Sequence, residues 1–202
     1  MKRTALAFFV LASITITGAG LSSHPTPQGR CNLTAADAPA LRGIRLGMST
    51  DQLLALFPAS TKRQEIKNAL EKAKAPDSEA VYLSFESADG NKDAFDGVAG
   101  ISVGLYRGHT IDVSVQYVGH DLRNIDEWIA KLSETLKLPS REAWQTGPSE
   151  NPNKVLHCNG VEIEAAMQGG GGSVRIRNME YQKFAEEQNR AAEEKKKRAY
   201  KP

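Results

Sequence analysis

Residues 43–58 read GIRLGMSTDQLLALFP. A Ser-Thr pair set between glycines and an apolar run fits either a reactive loop or the entry to a helix. Ser49 is an N-cap residue, and Gln52 stands three positions on, where its side chain reaches back to the Ser49 amide. Met48 and Leu53 have the spacing of a hydrophobic staple. Leu53, Leu54 and Phe57 fall on one face, and Pro58 stops the helix. A phosphate loop would end in Lys-Ser/Thr, and a nucleophilic serine would need a base and an orienting acid; the stretch has neither. The reading is a capped helix, preceded by a short strand over 41–46.

Downstream, Ile66, Ala69, Leu70 and Ala73 keep helical spacing, predicting a second helix over 60–74 with Thr61 and Gln64 as its capping pair. From Glu79 the period changes to two. Val81, Leu83 and Phe85 alternate with polar residues, and Ile101, Val103 and Leu105 do the same. A short loop, Arg107-Gly108-His109, turns the chain back so that Leu105, Val103 and Ile101 face Ile111, Val113 and Val115. Asn124 and Glu127 open a third helix with Ile125, Trp128, Ile129, Leu132 and Leu136 on one stripe, and a short strand is expected around Trp144. Asn159-Gly160 is the strongest turn signal in the chain, pairing Leu156 with Ile163, His157 with Glu162 and Cys158 with Val161. In that register Cys158 points inward, while His157 and Glu162 form a solvated outer pair. Gly169–Gly172 read as a loose connection into a last strand, 174–177, and no helix start follows them to make a phosphate cradle.

The expected fold class is α+β: antiparallel sheet with helices packed on one face, and two helix-plus-sheet halves, 41–118 and 122–178, that read as a diverged repeat. The tail, 179–202, is helical in propensity, with Glu193/Lys197 and Glu194/Arg198 at i, i+4 and no apolar stripe after Phe184, so it reads as a protruding, solvated helix.

Residues 1–20, MKRTALAFFVLASITITGAG, combine a basic start, an apolar run and small residues in the manner of a bacterial secretory signal peptide cleaved near Ala19 or Gly20. The run is shorter than the roughly 20 residues a membrane span requires, so the mature chain is expected to have no transmembrane segment. Cys31 follows Gln28, Gly29 and Arg30 rather than an aliphatic and small-residue lipidation signal, so the exported chain, periplasmic or extracellular, is read as not lipidated. Residues 21–40 form an extended lead-in, and their Asn32-Leu33-Thr34 sequon carries little weight in a bacterial-type chain. Removing Lys2 and Arg3 lowers the 26 basic residues to 24, equal to the 24 acidic ones. That balance argues against a nucleic-acid partner. Cys31 and Cys158 are the only cysteines, and in an oxidising compartment they are expected to form a disulfide rather than a thiolate metal site.

Catalytic and ligand motifs are weak. DGNKDAFDG, 89–97, places Asp89, Asn91 and Asp93 at alternate positions, but Ala94 and Gly100 occupy the positions where a calcium loop needs glycine and glutamate. His24, His109, His120 and His157 have no metal-ligand spacing. No cofactor, metal or catalytic residue is therefore assigned.

At the Leu46-Gly47-Met48-Ser49 helix entry with Leu53 four residues on, followed by antiparallel strands, the chain resembles the small exported domains of the outer-membrane assembly lipoprotein (SmpA/BamE) and β-lactamase-inhibitor protein type. The motif covers residues 43–57. The family's lipidated cysteine is absent and no inhibitory residue matches, so no functional residue carries over. The resemblance implies a non-catalytic protein acting by contact, with a protein partner in the cell envelope. The alternative is a hydrolase of unrecognised type, using outward His109, His120 or His157 with a nearby carboxylate.

Overall fold

The computed structural model describes residues 31–74, 79–90, 92–119, 122–168 and 171–199. Residues 1–20, read as a signal peptide, lead-in residues 21–30, His24, His120 and Asn91 lie outside the described residues.

The fold is α+β. The helices are α1 (Thr50–Leu56), α2 (Gln64–Lys74), α3 (Ile125–Leu136) and α4 (Met179–Ala199), and the strands are β1 (Val81–Phe85), β2 (Val98–Tyr106), β3 (His109–Tyr117), β4 (Gln145–Thr146), β5 (Asn153–His157), β6 (Val161–Gln168) and β7 (Gly171–Asn178). All seven strands form one sheet in the order β1-β2-β3-β7-β6-β5-β4. The last strand of each expected half, β3 and β7, pair antiparallel with each other, so the two halves share a single sheet.

Alternation along the strands sends one set of side chains to the helices. Leu53, Ile66, Leu70, Trp128, Ile129 and Leu132 pack with Leu83, Phe85, Val103, Val115, Ile163 and Ile176 in one core cluster. Phe57 and Phe85 stack at its centre with ring centroids 4.3 Å apart. Cys31 and Cys158 are bonded across 127 positions, with Cα atoms 4.5 Å apart. Closing a loop of that length adds about 5 kcal/mol in the chain-entropy account. Cys31 and Ala38 are buried, so the end of the lead-in belongs to the core.

The opening stretch is a helix entry. Ser49 Oγ accepts from the Gln52 amide at 3.3 Å and Gln52 Oε1 accepts from the Ser49 amide at 2.9 Å. The strand expected before it is instead a tight turn: Leu41 and Ile44 exchange both backbone hydrogen bonds at 2.9 Å around Arg42 and Gly43, which have φ of 50° and 85°. The second helix starts later than its spacing suggested. Pro58 does not simply stop α1; its fixed φ opens a 3₁₀ turn over Pro58–Lys62, and the extended Arg63 separates that turn from α2. Thr61 and Gln64 therefore do not cap it: Thr61 Oγ1 donates to the Pro58 carbonyl and Gln64 Nε2 to Asn68 Oδ1.

Two registers correct the expectations. The β2–β3 loop has two residues, Arg107 and Gly108, because Tyr106 pairs with His109, and a bulge then sets Leu105 opposite Thr110 instead of Ile111. Thr110 takes the inward position, and Ile111, although buried, stays out of the helix-side cluster. Gly171 and Gly172 belong to β7 rather than to a loose connection. A Cβ on Gly171 would lie 2.2 Å from the Tyr117 carbonyl oxygen, and one on Gly172 would lie 2.7 Å from the Trp128 ring. These glycines admit a neighbouring backbone and the indole of α3.

Candidate functional site: the uncovered face of the sheet

Helices α1 to α3 occupy one face of the sheet, and the same alternation sends Tyr82, Ser102, Asp112, Ser114, Arg175, Arg177, Glu162, Glu164 and His157 to the other. β6 carries Val161-Glu162-Ile163-Glu164-Ala165 and β7 carries Val174-Arg175-Ile176-Arg177-Asn178. Their antiparallel register sets Glu162 against Arg177 and Glu164 against Arg175. The side chains knit diagonally. Arg177 Nη2 donates to Glu162 Oε1 and, at 3.2 Å, to Glu164 Oε2, while Asn153 Nδ2 donates to Glu164 Oε1 at 3.0 Å. Arg175 grips Asp112 from β3, with Nε 3.0 and 2.9 Å from its two carboxylate oxygens and a further short bond from Nη2. These bonds to Asp112 push the Arg175 guanidinium above its ordinary range, against the desolvation that lowers it.

The ladder is not a solvated surface. Asp112 and Glu162 are 3% and 9% exposed. This corrects the expectation of a solvated His157/Glu162 pair. His157 is exposed and places Nδ1 3.2 Å from Glu162 Oε2, but the carboxylate is buried because the arginine of β7 holds it. Removing one member of such a part-buried network would strand the other charge, whereas the intact network fixes side-chain positions.

At the β1–β2 end the face becomes aromatic. Gly104 has no side chain, and Tyr82 lies across it: a Cβ there would come within 3.0 Å of Tyr82 Cε1 and 2.9 Å of Asp112 Cβ. The first turns of α4 cross the same face. Tyr181 and Phe184 place their rings 4.3 and 5.9 Å from that of Tyr106, and the Arg107 guanidinium lies 5.0 Å from the centroid of Tyr106 and 5.9 Å from that of Phe184. Burial pushes the Tyr181 hydroxyl above the ordinary tyrosine range, and neighbouring Tyr106, Tyr82 and Glu79 add to the shift against a hydrogen bond with Ala80. Tyr82 is 54% and Phe184 37% exposed. Beyond them, every α4 side chain of described exposure from Glu187 onward is exposed.

Other singled-out residues find structural roles. His109 caps the hairpin near the helix entry, with Nδ1 3.2 Å from the Gly47 carbonyl oxygen. Asp89 is buried and its Oδ2 takes both Arg63 Nη1 at 2.7 Å and the Glu86 amide at 2.8 Å, which removes it from a calcium loop. Arg63 also donates to the Ser84 carbonyl at 3.3 Å, covering part of the free edge of β1. Among the described residues, no three His, Cys, Asp or Glu side chains converge as a metal site, and no hydroxyl or thiol is bonded to His157. The charge ladder was missed in the sequence, although its signal is there: Glu-x-Glu in one strand and Arg-x-Arg in the next.

No helix among the described residues is long and apolar enough to cross a membrane. Comparison with protein-family models, curated proteins and solved structures found no match to this chain.

Proposed function

We propose that this is an exported binding or scaffold protein of the cell envelope, periplasmic or extracellular and not lipidated, that acts by contact through the uncovered face of its sheet. The observation that carries the reading is that face itself: charges locked in a ladder beside exposed aromatic rings on a rigid antiparallel platform. Pre-ordered side chains lose little entropy on docking, and aromatic and arginine residues are the groups that dominate binding energy at interfaces. The disulfide is compatible with an oxidising compartment, and the resemblance at residues 43–57 points to the same class of function.

The test is chemical crosslinking of the tagged chain in its native envelope. Wild type is expected to capture a defined partner, Tyr82→Asp to lose it while remaining folded, and Lys197→Glu in the distal tail to keep it. Capture indifferent to Tyr82→Asp would refute the reading. One observation favours a second reading, a hydrolase in which His157, oriented by Glu162, serves as general base. Turnover of a panel of activated esters that disappears in His157→Ala would establish it.

A further inference from the structure

Among the described residues, three non-glycine residues have positive φ: Arg42 at 50°, Arg107 at 48° and Lys137 at 55°. A side chain in this region is held against its local preference, and the reason for keeping it there must come from its surroundings. Lys137 ends α3 in the left-handed conformation common after helices. Arg42 donates to the Asp96 carbonyl at 2.9 Å and lies 5.1 Å from the centroid of the Tyr117 ring. Arg107 has no such polar partner among the described residues. In a two-residue hairpin loop its position favours Gly, Asn or Asp, yet it carries an exposed arginine with no carboxylate within ion-pair distance among the described residues. Among the described residues, its guanidinium is steadied by the rings of Tyr106 and Phe184. Stacking of this kind orients the plane of an arginine and leaves its N–H edge free. The ladder arginines differ, because Arg175 and Arg177 are already bound to carboxylates.

We propose that Arg107 is the docking point for an acidic segment of a partner protein. A partner aspartate or glutamate carboxylate takes the guanidinium edge in a bidentate pair, and an apolar side chain next to it packs on Phe184 and Tyr82. Charge complementarity selects the acid: the fork is cationic, oriented and unpaired, and bidentate carboxylate recognition is what that fork does best. This assignment rests on the uncovered face being the contact surface and adds the chemistry of what it contacts.

The experiment is selection of a phage-displayed random peptide library on the immobilised full secreted chain, followed by affinity measurement on variants. Selected peptides are expected to carry Asp or Glu beside an aromatic or aliphatic residue. Arg107→Gly is expected to weaken them at least about tenfold without lowering the melting temperature, because glycine accepts the hairpin conformation freely. Arg107→Lys should bind more weakly than wild type and better than Arg107→Gly, and binding to wild type should fall as salt rises. Selected peptides without a carboxylate, no selection at all, or undiminished binding to Arg107→Gly would overturn the assignment. If Tyr82→Asp abolishes crosslinked capture while Arg107→Gly leaves it intact, the face remains the contact surface and Arg107 alone is excluded from it.

Discussion

Replacing Gly172 by alanine puts a methyl group where the indole of Trp128 now lies. The new Cβ would stand 2.7 Å from Cε2, 2.9 Å from Nε1 and 3.0 Å from Cδ2 of that ring. The ring has little room to yield: Trp128 is buried, and its Nε1 donates to the Ser173 carbonyl at 2.9 Å. Overpacking of this kind costs about 1 to 3 kcal/mol, and loss of the indole hydrogen bond adds about 1 kcal/mol. Alanine recovers roughly 0.5 to 1 kcal/mol through the reduced freedom of the unfolded chain. The expected net loss is about 1 to 3.5 kcal/mol, which lowers the melting midpoint by roughly 2 to 14 °C for a chain of this size. Chemical denaturation of Gly172→Ala, Trp128→Leu and the double variant supplies the assay. In the Trp128→Leu background the two nearest ring atoms are gone, so the alanine should cost little and the two changes should couple by about 2 kcal/mol. Gly172→Ala within about 0.5 kcal/mol of wild type, or strict additivity with Trp128→Leu, would refute the claim that this glycine is a seat for the indole.

Ser49→Ala should cost about 0.5 to 2 kcal/mol through loss of the α1 cap, measured by denaturation, and should leave any partner capture unchanged. Truncation after Ala185 keeps Tyr181 and Phe184 against Tyr106 and removes an exposed, charged helix, so the thermal midpoint by calorimetry should stay nearly constant; a large drop would show that the distal helix packs on the domain. Tyr181 holds its proton above the ordinary tyrosine range, so its contribution to stability is present below about pH 10 and is lost as pH rises through the folded value. In absorbance titration at alkaline pH, Tyr181→Phe should delete a late-ionising component; deletion of an early one would contradict the shift.

Local chemistry made much of this molecule readable before folding was considered. The Ser49/Gln52 box, the Asn124 cap, the period-two strands and the Asn159-Gly160 turn each depend on residues a few positions apart. The inward parity of Cys158 followed from that hairpin, and the disulfide from the scarcity of cysteine. Local signals failed where a distant neighbour intervened. Gly171 and Gly172 resemble a flexible linker until Tyr117 and Trp128 are brought against them, and Leu105 faces Thr110 because a bulge in β3 shifts a register that alternation alone leaves straight. The candidate site belongs to the second kind. Glu162, Glu164, Arg175 and Arg177 were visible as alternating charges, but the pairing of β3 with β7 across more than half of the sheet's chain length is what adds Asp112. Arg107 looked like an ordinary hairpin residue. Only the return of α4 over the uncovered face placed Phe184 beside it, because the energy that positions that helix comes from ring packing between segments remote in sequence, which no short-range pattern encodes.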